Sequence, residues 1–145
     1  MINREPIYAA LFAKLQNLPG IVTASRRLKH YADVPPTQQP AIFMIQRTEA
    51  AEQVKNLPAK WRLHADVIVY VNTGEDPNGV PAQLLNPIID AIETALDPDS
   101  INGSQTLGGL VSHCWISGSI ETAEGVLGPQ EIAVIPIEIM LPSQT

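Results

Sequence analysis

The chain reads as an α+β domain: a mostly antiparallel sheet of about four to five strands, two helices packed on one of its faces, order α-β-β-β-α-β-β. Three observations predict this. Residues 60–71 alternate, with Trp61, Leu63, Ala65, Val67, Val69 and Val71 on one face and Arg62, His64, Asp66, Ile68 and Tyr70 on the other. Two other stretches carry apolar residues at helical spacing: Ile7, Leu11, Leu15 and Leu18, then Leu85, Ile88, Ile89, Ile92 and Leu96. The strand-like stretches come in runs broken by a helix, a pattern that favours antiparallel pairing.

The elements follow in order. Asn3 is a candidate cap for a first helix whose first turn holds Glu5 and Pro6, and Pro19-Gly20 stops it. Residues 21–30 read as a strand ending in the cluster Arg26-Arg27-Leu28-Lys29-His30. A loop punctuated by Pro35, Pro36 and Pro40 follows, then a short apolar strand over 41–46. Residues 47–59 hold Arg47, Glu49, Glu52, Lys55 and Pro58 and read as a long protruding loop, against the roughly 2–5 residues usual in a hairpin. It is either a mobile arm or an extended hairpin that orders on assembly. After the strand at 60–71 comes a turn-rich loop.

The second helix covers 80–96. Pro87 marks a kink, or Asn86 a fresh cap. A Gly-rich connection leads to a strand over 111–121, with Cys114, Ile116 and Ile120 facing one way and His113, Trp115 and Ser117 the other. A turn over 122–129 precedes the last strand, 131–141, whose core face is Ala133, Ile135, Ile137, Ile139 and Leu141. Pro136 has no N–H to donate and marks an edge or a bulge.

Composition bounds the rest. A chain of 145 residues is one domain, 1–145, able to bury a real core. Hydrophobic residues at 45% and charged ones at 17% exclude wholesale disorder and favour oligomerisation. No apolar run approaches a membrane span. The N-terminus does not read as a signal peptide, and the single Cys114 fits a cytosolic origin. Charge is segregated. Residues 1–62 hold all nine cations against four acids, a net of +5; residues 63–145 hold eleven acids and no cation, a net of −11. Such polarity suits complementary contacts between copies or two different partners. The acidic total argues against general nucleic-acid binding.

Candidate chemistry is sparse. His30, His64 and His113 lack metal-ligand spacing. His113 and Cys114 are neighbours on a strand, so they point apart and cannot form a nucleophilic pair. Gly108-Gly109 lacks the rest of a phosphate loop, and Asp97, Asp99 and Asn102 lack the spacing and distal Glu of a calcium loop. No catalytic, cofactor or metal residue is assigned. An enzyme or ligand-binding module would need His64, Asp66, Tyr70, His113 and Glu121 to converge in a pocket. The contact residues expected instead are Arg26, Arg27, Lys29, Arg47, Glu49, Glu52, Lys55 and Trp115. Trp61, in line with Val67 and Val69, reads as core.

These pieces resemble a known family. The opening helix Arg-Glu-Pro-Ile-Tyr-Ala-Ala-Leu-Phe, Leu-Pro-Gly and Ser-Arg-Arg-Leu-Lys-His come first. Pro-Ala-Ile-Phe at 40–43, Asn-Pro-Ile-Ile-Asp-Ala-Ile-Glu at 86–93 and Leu-Gly-Gly-Leu-Val at 107–111 follow. In element order, length and texture the chain is similar to the tail terminator (tail-completion, minor tail protein U-like) proteins of long-tailed bacteriophages. The resemblance implies a non-enzymatic structural virion protein without cofactor. It implies a homohexameric ring that caps the tail tube, ends tube polymerisation and meets the head-side connector. Its partners would be itself, the tail tube protein and a connector or neck protein, with DNA only passing through the lumen and no membrane. It would sit in the virion tail or neck, and in host cytoplasm during assembly. The family's long loop matches 47–59 here. The alternative is a head–tail joining or neck protein, and, further off, a small cytosolic ligand-binding module or enzyme.

Overall fold

The computed structural model describes residues 2–124 and 128–142. It is an α+β fold: helix α1 (Arg4–Leu15), strand β1 (Thr23–Ser25), two 3₁₀ turns (Tyr31–Asp33 and Pro36–Gln38), β2 (Ala41–Glu52), β3 (Lys60–Asn72), helix α2 (Pro81–Ala95), β4 (His113–Ile116), β5 (Glu121–Thr122) and β6 (Gln130–Met140). One six-stranded sheet has the order β1-β2-β3-β6-β4, with β5 also on β6. Only β1 with β2 is parallel. The rest is antiparallel.

The long strand forms where alternation predicts it. β3 sends Leu63, Ala65, Val67, Val69 and Val71 to the helical side, where they meet Ile135, Ile137 and Ile139 of β6, Ile7, Leu11 and Leu15 of α1, and Leu85, Ile88 and Ile92 of α2. All of these are buried. Asn3 sits at the start of α1 but its side chain makes no cap bond. Near that end Arg4 reaches Glu49 at 2.7 Å and stacks 4.9 Å over the Trp61 ring, which clamps the helix onto the strands. Trp61 is therefore a half-buried lid on the core's rim, packed against the main cluster and not enclosed by it.

Three expectations need correction. The strand expected over 21–30 is only Thr23–Ser25; beyond it Ser25 Oγ accepts the Arg27 N–H at 3.0 Å and bends the chain away, so the basic cluster lies outside the sheet. The long loop expected over 47–59 is largely strand. β2 continues to Glu52 through a bulge, where Arg47 and Thr48 occupy the step between the pairs Gln46↔Ala65 and Glu49↔Leu63. Residues 53–59 alone connect the hairpin, turning through the bond from Leu57 N–H to Val54 C=O. The strand expected over 111–121 breaks into β4 and β5. Pro136 on β6 cannot donate opposite Ser117, and Gly118 (φ 104°) bends the chain there. Of the turn expected at 122–129, residues 125–127 lie outside the described residues.

α2 runs unbroken through Pro87, so Asn86 is not a fresh cap. Pro87 is exposed and forfeits one internal hydrogen bond. Pro87→Ala should raise unfolding stability by about 2–3 kcal/mol. Urea denaturation checks it, as a higher midpoint at unchanged slope.

Candidate functional site

The sheet face away from the helices is unevenly covered. At one end a second cluster forms. The 3₁₀ segment folds Tyr31 and Val34 over Ala41, Phe43, Ile68 and Tyr70. Tyr70 Oη donates to the Lys29 carbonyl at 2.6 Å and fastens the segment down. Below it, Gln39 and Gln130 exchange amide bonds of 2.9 and 3.0 Å, a buried polar pair in which each carbonyl and amide finds a partner.

The other end of this face carries no helix. Ile45, Asp66, His64, Pro136, His113 and Trp115 are half-buried there, and Arg47 and Arg62 are exposed. The charges are already paired. Arg47 Nε is 3.2 Å from Asp66, and Arg62 Nη1 donates to Glu138 at 3.0 Å. Burial pushes the Glu138 carboxyl up, but hydrogen bonds from Arg62 and Ser117, with the nearby charges of His64 and Arg62, outweigh it and hold the group below the usual carboxylate range. His64 Nε2 lies 3.6 Å from the same oxygen, while its Nδ1 is buried without a partner. Trp115 stacks on His113 at 4.8 Å and 16°, and His113 Nδ1 accepts the Gln105 N–H at 3.0 Å. The stack is thereby tied to the loop before β4.

Each expected contact residue can now be placed. Arg26 is spent inside the chain, on Glu5 at 2.6 and 2.8 Å and on Gln46 at 3.2 Å. Arg27 and Lys29 are exposed and make no ion pair among the described residues. Glu49 is spent on Arg4 and on Tyr8, whose hydroxyl donates at 3.2 Å. Burial first, then the Glu49 charge and hydrogen bond, push the Tyr8 hydroxyl up to about 12. Glu52 and Lys55 are exposed on the hairpin arm, beside Val54 and Leu57 at 56% exposure each. Trp115 lies on the open face.

Sequence polarity is thus softened by folding: Arg4, Arg26, Arg47 and Arg62 each find an acid. The residues that organise this face, Glu138 and Arg62, were missed by sequence reasoning. The cross-strand register that joins His64 to Glu138 is their only signal, and it is a tertiary one.

The five residues of the pocket reading do not converge. Tyr70 is sealed in the second cluster. His64 lies six residues along β3 from it, roughly 20 Å at strand spacing. The grooves described lie elsewhere: one of about 390 Å³ under the hairpin, lined by Glu52, Lys60, Trp61, Arg62 and Met140 among others, and one of about 400 Å³ between residues 73–79 and 128–129. No cluster of three or more metal-ligating side chains occurs among the described residues. No helix is long and apolar enough to cross a membrane among those residues. Cys114 is buried in the core, and burial pushes its thiol up to about 12.

No family model and no curated protein matches the chain. Thirty solved chains do match, so the fold recurs. One superposes over 100% of this chain and 99% of its own length, at 17% identity and a TM-score of 0.56. At that identity the likeness shows the fold alone.

Two outcomes follow. Glu138 has a lowered native pKa, so its contribution to stability is present above the unfolded carboxylate range and is lost as pH falls through the native value. Glu138→Gln should be less stable than the parent near neutral pH, and the gap should close below about pH 4. Thermal melts across pH check it. The protonated, enclosed Cys114 should resist thiol reagents at neutral pH in the native protein and react fully in denaturant, as a colorimetric thiol assay would show.

Proposed function

We propose that this chain is a structural subunit of a long-tailed bacteriophage: a tail terminator that assembles into a homo-oligomeric ring. The ring, a hexamer by the family resemblance, caps the tail tube, ends tube polymerisation and offers a surface to the head-side connector. The observation that carries the reading is the open face. It is a broad sheet surface with a half-buried aromatic stack and with its charges paired in advance, so covering it leaves few charges unmet. Trp115 has the chemistry of an interface anchor. The hairpin arm supports the same reading, since Lys60 lies beyond the last β3–β6 pair and the tip carries exposed Val54 and Leu57. The acids along α2 and its flanking loops, unpaired among the described residues, would repel DNA passing nearby.

Light scattering coupled to size-exclusion chromatography tests this. The expected result is a discrete multiple of the 15.7 kDa subunit. A monomer at high concentration, both alone and with tail tube protein, would overturn it. Trp115→Ala should weaken a contact made through the open face by about 2 kcal/mol, roughly 30-fold in affinity. In phage particles lacking the protein, over-long tails are expected. Tails of normal length detached from heads would instead assign the chain to a head–tail joining role.

A further inference from the structure

On one side the sheet ends in β1, on the other in β4 and β5, which both pair with β6, and one row of residues joins β1 to β5. The register runs Ala24–Ile42–Val69–Ala133–Thr122 straight across. Ala24 is on β1 at one edge and Thr122 on β5 at the other. Ladder alternation decides which backbone groups are free. Thr23 N–H donates to the Pro40 carbonyl at 3.3 Å, so Thr23 and Ser25 address β2 and Ala24 turns its N–H and C=O outward. Ala123 N–H donates to the Ile132 carbonyl at 3.0 Å, so Ala123 and Glu121 address β6 and Thr122 turns its own pair outward. One donor and one acceptor stand open at each end of the same row.

Direction and charge also match. β1 is parallel to β2, β2 and β6 are both antiparallel to β3, and β5 is antiparallel to β6. β1 and β5 therefore run in opposite senses. β1 leads into Arg27 and Lys29, while β5 carries Glu121 and is followed by Glu124. All four are exposed and make no ion pair among the described residues.

We propose that the β1 edge of one copy pairs with the β5 edge of the next, antiparallel, Ala24 against Thr122, which sets Ser25 opposite Glu121 and Arg27 two residues beyond it, within reach of the Glu121 carboxylate. The proposal rests on the reading of the chain as a ring subunit and names the contact between neighbours. A rotation about an axis along the strands preserves strand direction, so each copy offers β5 to the next copy's β1 in the antiparallel sense and on an unbroken row. The contact is heterologous, as a ring requires.

The test is Ala24→Cys combined with Thr122→Cys, oxidised mildly and run on a non-reducing gel. A hydrogen-bonded antiparallel pair sets the Cα atoms roughly 5.5 Å apart, within disulfide reach. Within one chain the two positions are four strand spacings apart, roughly 19 Å, so the bond can form only between copies. Buried Cys114 does not compete. A reducible ladder of covalent multimers is expected from the double variant, and no such ladder from either single one. An oligomer by light scattering that yields no ladder would overturn the edge pairing and leave the ring reading intact; a monomer would overturn both. Arg27→Glu should shift the oligomer toward monomer at low salt, and adding Glu121→Arg should restore it. Full mass retained by Arg27→Glu, or no recovery in the exchanged pair, would overturn the charge match.

Discussion

The antiparallel pairing of β3 with β6 positions everything else. It runs unbroken from Arg62↔Met140 to Asn72↔Gln130. Because side chains alternate, this one register decides which residues face the helices. Val67 with Ile135 and Val69 with Ala133 go to the helical side, where α1 and α2 close over them. His64 with Glu138 and Asp66 with Pro136 go to the other side. A slip of one residue would bury Glu138 and His64 under the helices and expose the Ile135–Ile139 row. The cost of burying unpaired charge, added to the lost apolar burial, holds the register.

The same pairing explains why the second face has two characters. Toward the Asn72 end, β3 and β6 contribute apolar Ile68, Tyr70, Ile132 and Val134, and the 3₁₀ segment can seal them. Toward the Arg62 end they contribute His64, Asp66 and Glu138, which no apolar cover could accept. The two acids are satisfied by Arg47, Arg62 and Ser117 at the surface. The face is thus both ordered and uncovered. A second acid obeys the opposite electrostatics. Glu131, at the other end of β6, is buried beside Glu124, and burial first and that charge second push its carboxyl up. Its ionised form therefore costs stability as pH rises, while ionised Glu138 adds it.

The fold class was legible because its signals are local. The alternation of 60–71 is a period-2 signal. Ile7, Leu11 and Leu15 of the first helical stripe and Leu85, Ile88 and Ile92 of the second lie on the buried faces of α1 and α2, while Leu18 falls beyond α1 and Ile89 is half-buried. What was illegible depends on partners far along the chain. Residues 47–52 look like loop because Arg47-Thr48-Glu49 sets three polar residues in a row and breaks the alternation. They become strand because β3 templates them across a bulge and because Arg4 and Tyr8 hold Glu49. The basic cluster after β1 looked like a free patch, yet Glu5 on α1 takes Arg26 and leaves Arg27 and Lys29 available. Cys114 and His113 were separable from sequence because neighbours on a strand face apart, and that is how they lie.

Segregated charge gains its meaning at the edges and not over the whole surface. Folding cancels the four arginines that contact acids, so a bulk view of a basic half meeting an acidic half no longer holds. What survives is local: cations beside a three-residue edge and acids beside a two-residue edge. Edges that short cannot template indiscriminate strand pairing, which long flat edges invite. Each offers one donor and one acceptor, and a pair of backbone bonds contributes only about 1–3 kcal/mol. Complementary charge supplies the rest of the selectivity, because like edges meeting in parallel would place cation on cation or acid on acid. A chain built this way resists pairing β1 with β1 or β5 with β5 in parallel, and leaves the head-to-tail contact as the one that backbone and charge both favour.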